Sequence, residues 1–135
     1  MELNYLATIG LINGILSILL GLLVFLKNRK VANNITYFIF DSSIALFSFG
    51  YFFWQLADNY RDALLWFHIL TVGLIFINVT FLHVSLSILG KVREKRAFLV
   101  FLYITNITIA FLNFHSLLFT HLIPKYSYGL WPVPT

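Results

Sequence analysis

Residues Tyr5–Leu26 read YLATIGLINGILSILLGLLVFL, a run without a single charge, closed by Lys27, Arg29 and Lys30. At 1.5 Å per residue, a helix of this length reaches across a hydrocarbon layer of roughly 30 Å. Three more runs of the same kind follow, at about Ile35–Ala57, Ala63–Leu89 and Ala97–Phe119. Only short polar loops separate them. The expected fold is therefore all-α: a polytopic membrane protein with four transmembrane helices in an antiparallel bundle, forming one domain over residues 1–135.

Composition agrees. The chain is 60% hydrophobic and 10% charged, with mean hydropathy +0.88. A water-soluble domain of 135 residues cannot hide that much apolar surface. The polar stretches Lys27–Asn34, Gly90–Arg96 and the C-terminal tail are too short to build a second core.

The net charge of +4 does not point to nucleic acid, because of where it lies. Lys27, Arg29 and Lys30 follow span 1, and Lys91, Arg93, Lys95 and Arg96 follow span 3. These are seven of the nine basic residues. By the positive-inside rule both loops, 27–34 and 90–96, are expected in the cytoplasm. The intervening loop, Asp58-Asn59-Tyr60-Arg61-Asp62, and both termini are expected outside. The localisation implied is integral to a membrane, with the lipid bilayer as the first partner.

There is no cysteine, hence no disulfide or thiol chemistry. Span 1 does not read as a cleavable signal peptide: its charge follows the apolar run instead of preceding it. Three Asn-x-Thr sequons begin at Asn34, Asn78 and Asn106, in or beside the spans, where glycosylation cannot reach them.

Polar residues inside the spans are the informative exceptions. Gly10, Gly14, Ser17 and Gly21 share one face of span 1. Small residues let another helix backbone come close, which suits packing within the bundle or a homodimer through the Gly10/Gly14 face. Asp41 lies roughly 9 Å inside the cytoplasmic end of span 2. A carboxylate there is costly unless paired, hydrated or protonated. One reading pairs it with a base of the cytoplasmic loops; the other places it in an ion pathway.

Thr71, Asn78 and Ser85 recur every seven residues in span 3, as do Asn106 and Asn113 in span 4. Matching the cytoplasmic ends of the two spans puts Asn78 and Asn106 at one depth. They are expected to face each other and hydrogen-bond, as polar glue or as the lining of a ligand pocket. His68 and His115 belong near the outer leaflet, His121 in the outer tail and His83 nearer the cytoplasm. Their spacing matches no metal site. Trp54, Tyr60, Trp66 and Phe67 form an aromatic belt at the outer boundary. The tail, with Tyr126-Ser127-Tyr128-Gly129-Leu130-Trp131, reads as an ordered outer loop on the headgroups, and Pro132-Val133-Pro134-Thr135 as an interrupted chain.

No HExxH, GxSxG, phosphate loop or paired carboxylates are present, so no catalytic residues and no cofactor are expected.

Several stretches carry a resemblance. Span 2 contains Ala45-Leu46-Phe47-Ser48-Phe49-Gly50-Tyr51-Phe52, and an outward loop leads into Ala63-Leu64-Leu65-Trp66-Phe67. Span 3 closes on Phe81-Leu82-His83-Val84-Ser85-Leu86-Ser87-Ile88-Leu89-Gly90, and span 4 precedes the aromatic, glycine-bearing tail. This pattern resembles the N-terminal seven-helix membrane region of bacterial sensor histidine kinases, also found ahead of diguanylate cyclases. It covers the first four of that region's seven spans. The resemblance implies a sensory input domain, or a fragment of one, in two-component signal transduction. The kinase or cyclase region of such proteins is absent from these residues, so no activity is assigned to them. On this reading a small-molecule or lipid signal acts at the outer ends of spans 3 and 4, with His68, Asn78, Asn106, Asn113, His115 and Trp131 as candidate ligand-binding residues. The rival is a small oligomeric transporter or channel subunit with Asp41 in its pathway.

Overall fold

The computed structural model describes residues 4–115, 119–124 and 130–134. Four helices, α1 (Tyr5–Lys27), α2 (Ala32–Leu56), α3 (Tyr60–Ile88) and α4 (Arg96–Phe114), precede two strands, β1 (Phe119–Pro124) and β2 (Leu130–Pro134). Each helix is long and apolar enough to cross a membrane.

The helix ends follow from local chemistry. Asn4 caps α1, its side chain accepting from the Ala7 N–H at 2.7 Å. Asn59 caps α3, accepting from the Asp62 N–H at 2.9 Å while its amide donates to the Asp62 carboxylate at 2.7 Å. One orphan N–H of the first turn is thus satisfied, the two side chains hold each other in place, and the acid sits at the positive end of the helix dipole. At the other end of α3, Gly90 takes a φ of 67°. The Lys91 N–H bonds to the Leu86 carbonyl at 2.8 Å and the Gly90 N–H to the Ser87 carbonyl at 3.1 Å. This is a Schellman closure, and its left-handed position favours glycine.

The fourth helix ends at Phe114, earlier than the sequence reading placed it. Phe119, expected as the end of span 4, instead opens β1. β1 and β2 pair antiparallel, with Ile123 opposite Trp131 and Leu122 opposite Pro132. The C-terminal tail thus adds a two-stranded hairpin to the helical fold, and both strands lie beside α3.

The helices pack extensively only in chain order: α1 on α2, α2 on α3, α3 on α4. Among the described residues, α1 does not close onto α4, so the expected bundle is opened into a row. The small-residue face of α1 is buried against α2. A methyl group on Gly10 would lie 3.0 Å from the Tyr51 ring, one on Gly14 3.0 Å from the Phe49 ring, and one on Gly21 2.9 Å from the Asp41 Cβ. Within the chain, α2 therefore occupies the face that a homodimer would need. The α2–α3 contact is tighter still, since Gly50 meets the Leu70 backbone and Gly73 meets the Phe47 backbone. Beside it, Ala63, Phe67 and Leu70 form an apolar cluster with Phe47, Tyr51 and Trp54 packed on it. Part of the aromatic belt is therefore core: Trp54 packs edge-on to Phe67, while Trp66 stacks on Phe53 at 4.4 Å between centroids. The outer faces of α1 and α4 expose large apolar residues such as Leu23, Phe101 and Ile104, as lipid-facing surface does.

Candidate functional site

Two of the candidate residues are brought together. His68 of α3 and Asn113 of α4 are both buried, Asn113 completely. The Asn113 amide donates to the His68 backbone carbonyl at 3.0 Å. A carbonyl can only accept, so the amide orientation is fixed and the Asn113 Oδ1 must face the imidazole. That oxygen lies 3.0 Å from His68 Nδ1. Nδ1 therefore carries the proton and donates, which leaves Nε2 as a bare acceptor in the neutral ring. Nε2 is buried and has no hydrogen-bond partner among the described residues. Phe67 and Phe114 flank the ring, with centroids at 6.3 and 6.2 Å. The site is a two-bond link between helices with one unused acceptor. Chemically it can receive a hydrogen-bond donor.

The other candidates stand apart. Asn78 is exposed, and Asn106 donates to the Leu102 carbonyl of its own helix at 2.7 Å. The facing Asn78–Asn106 hydrogen bond does not form. The physical reason is rotation: the deeply buried positions of α3, such as Gly73, Thr80 and Val84, include those packed on α2, and Asn78 points away. His115 is exposed at the end of α4, with Nδ1 3.1 Å from the Phe111 carbonyl. Trp131 lies in β2 opposite Ile123; its side chain is outside the described residues.

Asp41 is buried against α1, in contact with the position of Gly21. Its expected ion pair with a loop base is not made: Oδ2 is enclosed without a hydrogen-bond partner. The Tyr37 hydroxyl, one turn back on α2, is its polar neighbour. Asp41 faces α1 while Asn78 lies on the exposed side of α3, so the two do not line a common path.

Several polar links were missed by sequence reasoning. His83 of α3 meets the Tyr103 hydroxyl of α4 at 2.9 Å. Asn13 of α1 donates to the Ser48 hydroxyl at 2.6 Å, beside a cavity of about 240 Å³ bordered by Gly10, Phe47 and Tyr51. Ser87 donates to the Asn33 side chain at 2.6 Å, and the Thr80 and Ser43 hydroxyls lie 3.4 Å apart. The depth matching applied to spans 3 and 4, extended to the other hairpins, would have found Asn13–Ser48 and Asn33–Ser87. Among the described residues no three His, Cys, Asp or Glu side chains gather as metal ligands.

Comparison with curated proteins and with solved structures gives no match. The family model of the N-terminal 7TM region of histidine kinase matches residues 9–133, a stretch that takes in nearly all of α1, the other three helices and most of the hairpin. Four membrane-crossing helices and this match make the chain an integral membrane protein, and it belongs to the N-terminal 7TM region of histidine kinases.

Proposed function

We propose that the chain is a membrane-embedded sensing layer of a histidine-kinase receptor, and that its signal is read where α3 meets α4. Both termini lie outside, the helices alternate in direction, and loops 27–34 and 90–96 face the cytoplasm of a bacterial or archaeal cell. The loop charges support this placement, as do contacts whose numbering runs in opposite senses along neighbouring helices: Gly10 beside Ser48 and Gly21 beside Asp41. Phosphotransfer belongs to the receptor's kinase region and is assigned to none of these residues.

The observation that carries the reading is the His68–Asn113 link. It joins α4 to the row near its outer end. A small molecule or lipid that donates to Nε2, or a membrane change that separates the helices, would favour one α3–α4 packing over another. The signal is then a population shift, and its size is set by the difference in affinity for the two packings. Asn78, Asn106, His115 and Trp131 are secondary candidates that stand apart from this link.

The test is made in the intact receptor in nanodiscs, with spin labels at Leu65 and Phe111, both exposed. Asn113→Leu should broaden or shift the α3–α4 distance distribution and change basal autophosphorylation. Equal distributions together with equal basal output in the two proteins would sink the reading.

A further inference from the structure

A second cavity lies at the opposite end of the α3–α4 pair. It has a volume of about 570 Å³ and is bordered by Arg93, Arg96, His83 and Tyr103 on its polar side and Leu99 and Val100 on its apolar side. We propose that this cavity binds an anionic phospholipid, with the phosphate between Arg93 and Arg96 and the start of an acyl chain along Leu99 and Val100. The proposal rests on the membrane reading, and on the proposed topology only for naming the leaflet as cytoplasmic.

Three observations converge. First, neither guanidinium has an ion-pair or hydrogen-bond partner among the described residues, although Glu94 stands between them in sequence. Guanidinium forks match phosphate oxygens in pairs.

Second, the start of α4 is electrostatically incomplete. Its first turn holds no acidic residue, and its N-cap, Lys95, makes no side-chain capping bond. A helix N-terminus carries unsatisfied N–H groups and partial positive charge, and here Arg93, Lys95 and Arg96 add to it. Such an arrangement favours an anion brought from outside the chain.

Third, the cavity is amphipathic along α4: the arginines stand at its loop end, apolar side chains follow, and the deeper His83 and Tyr103 are hydrogen-bonded to each other. The arginines belong to the last loop residues and the first residue of α4, and the apolar lining continues one turn further along that helix. A free phosphate would leave the apolar half unfilled, whereas a phospholipid fills both. Basic pockets between transmembrane helices on the cytoplasmic side are suited to anionic headgroups.

The experiment is native mass spectrometry of the whole chain released from zwitterionic micelles, with phosphatidylglycerol or phosphatidylcholine added. Phosphatidylglycerol should be retained over phosphatidylcholine. The double variant Arg93→Gln/Arg96→Gln should lose its binding roughly tenfold or more. Lys27→Gln/Lys30→Gln removes the same charge from the other basic loop and should retain it. Millimolar inorganic phosphate should not displace the bound lipid. Equal retention of the two lipids, or equal loss in both double variants, overturns the proposal. Full displacement by phosphate overturns the lipid assignment in favour of a soluble phosphorylated ligand. If circular dichroism shows that the glutamine variant loses helix, the decision passes to Arg93→Lys/Arg96→Lys. That variant keeps the charge and removes the forks, and unchanged binding in it overturns the guanidinium site.

Discussion

Gly50 of α2 and Leu70 of α3 are in backbone contact: a methyl group on Gly50 would lie 2.7 Å from the Leu70 nitrogen and 2.8 Å from its Cα. One turn away, the Phe47 backbone presses on Gly73 in the same manner. Backbone cannot swing aside, so Gly50→Ala and Gly73→Ala should each destabilise the fold by about 1–3 kcal/mol. Gly14→Ala meets only the Phe49 ring, at 3.0 Å, and a ring can turn. It should cost less. Unfolding titrations in mixed micelles read all three, and an equal cost for Gly14 and Gly50 would refute the distinction.

The His68–Asn113 link invites a double-mutant cycle. His68→Ala, Asn113→Ala and the double variant should show a coupling energy of about 1 kcal/mol, the usual scale for interhelical hydrogen bonds in lipid. The Asn113–carbonyl bond survives in His68→Ala, so the cycle isolates the imidazole bond. A coupling near zero would mean that the two side chains adapt independently.

Asp41 predicts an unusual sign. Its Oδ2 is enclosed without a hydrogen-bond partner, and the carboxylate's polar neighbour is the Tyr37 hydroxyl, not a base, so no ion pair offsets a buried charge there. Asp41→Asn keeps the shape and removes the charge. In neutral buffer this variant should unfold at an equal or higher temperature than the parent. A clear loss of stability would reveal an ionic partner for the carboxylate.

The absence of cysteine makes topology directly measurable. Single substitutions Lys30→Cys and Asp58→Cys, in consecutive loops, should react with a membrane-impermeant maleimide from opposite sides of sealed vesicles. Labelling of both from one side would reverse the assignment of α2 as a membrane crossing.

The four spans were legible because lipid imposes a length and an apolar composition on each helix. The small-residue face of α1 was legible too, since Gly10, Gly14, Ser17 and Gly21 can share one side only in a helix. The site was half legible. Depth was read correctly: Asn78 and Asn106 both fall between the His68–Asn113 and His83–Tyr103 links. Rotation was not. A seven-residue stripe drifts by about 20° per repeat on a straight helix. That is too little to explain why Thr71 is buried while Asn78 is exposed, so the cover over this face of α3 changes along the helix. Which side of α3 meets α4 depends on the prior fit of α3 to α2 through Gly50 and Gly73, a relation between distant segments that spacing within one span does not encode. The hairpin was hidden for a different reason: aromatics with Pro and Gly read as a loop, yet proline is tolerated in a strand at a sheet edge, and in a two-stranded sheet every strand is an edge.

A row of helices in chain order transmits differently from a closed ring. A ring offers two routes between any pair of members; a row offers one. Among the described helices, a displacement of α1 reaches α4 only by passing through α2 and α3 in series. The closely packed α1–α2 and α2–α3 pairs, the second locked at Gly50 and Gly73, are the stiff part of that relay, and α4, which meets α3 over a smaller contact, is its looser end. Softening the middle should therefore mute every signal that travels between the ends, from whichever end it starts.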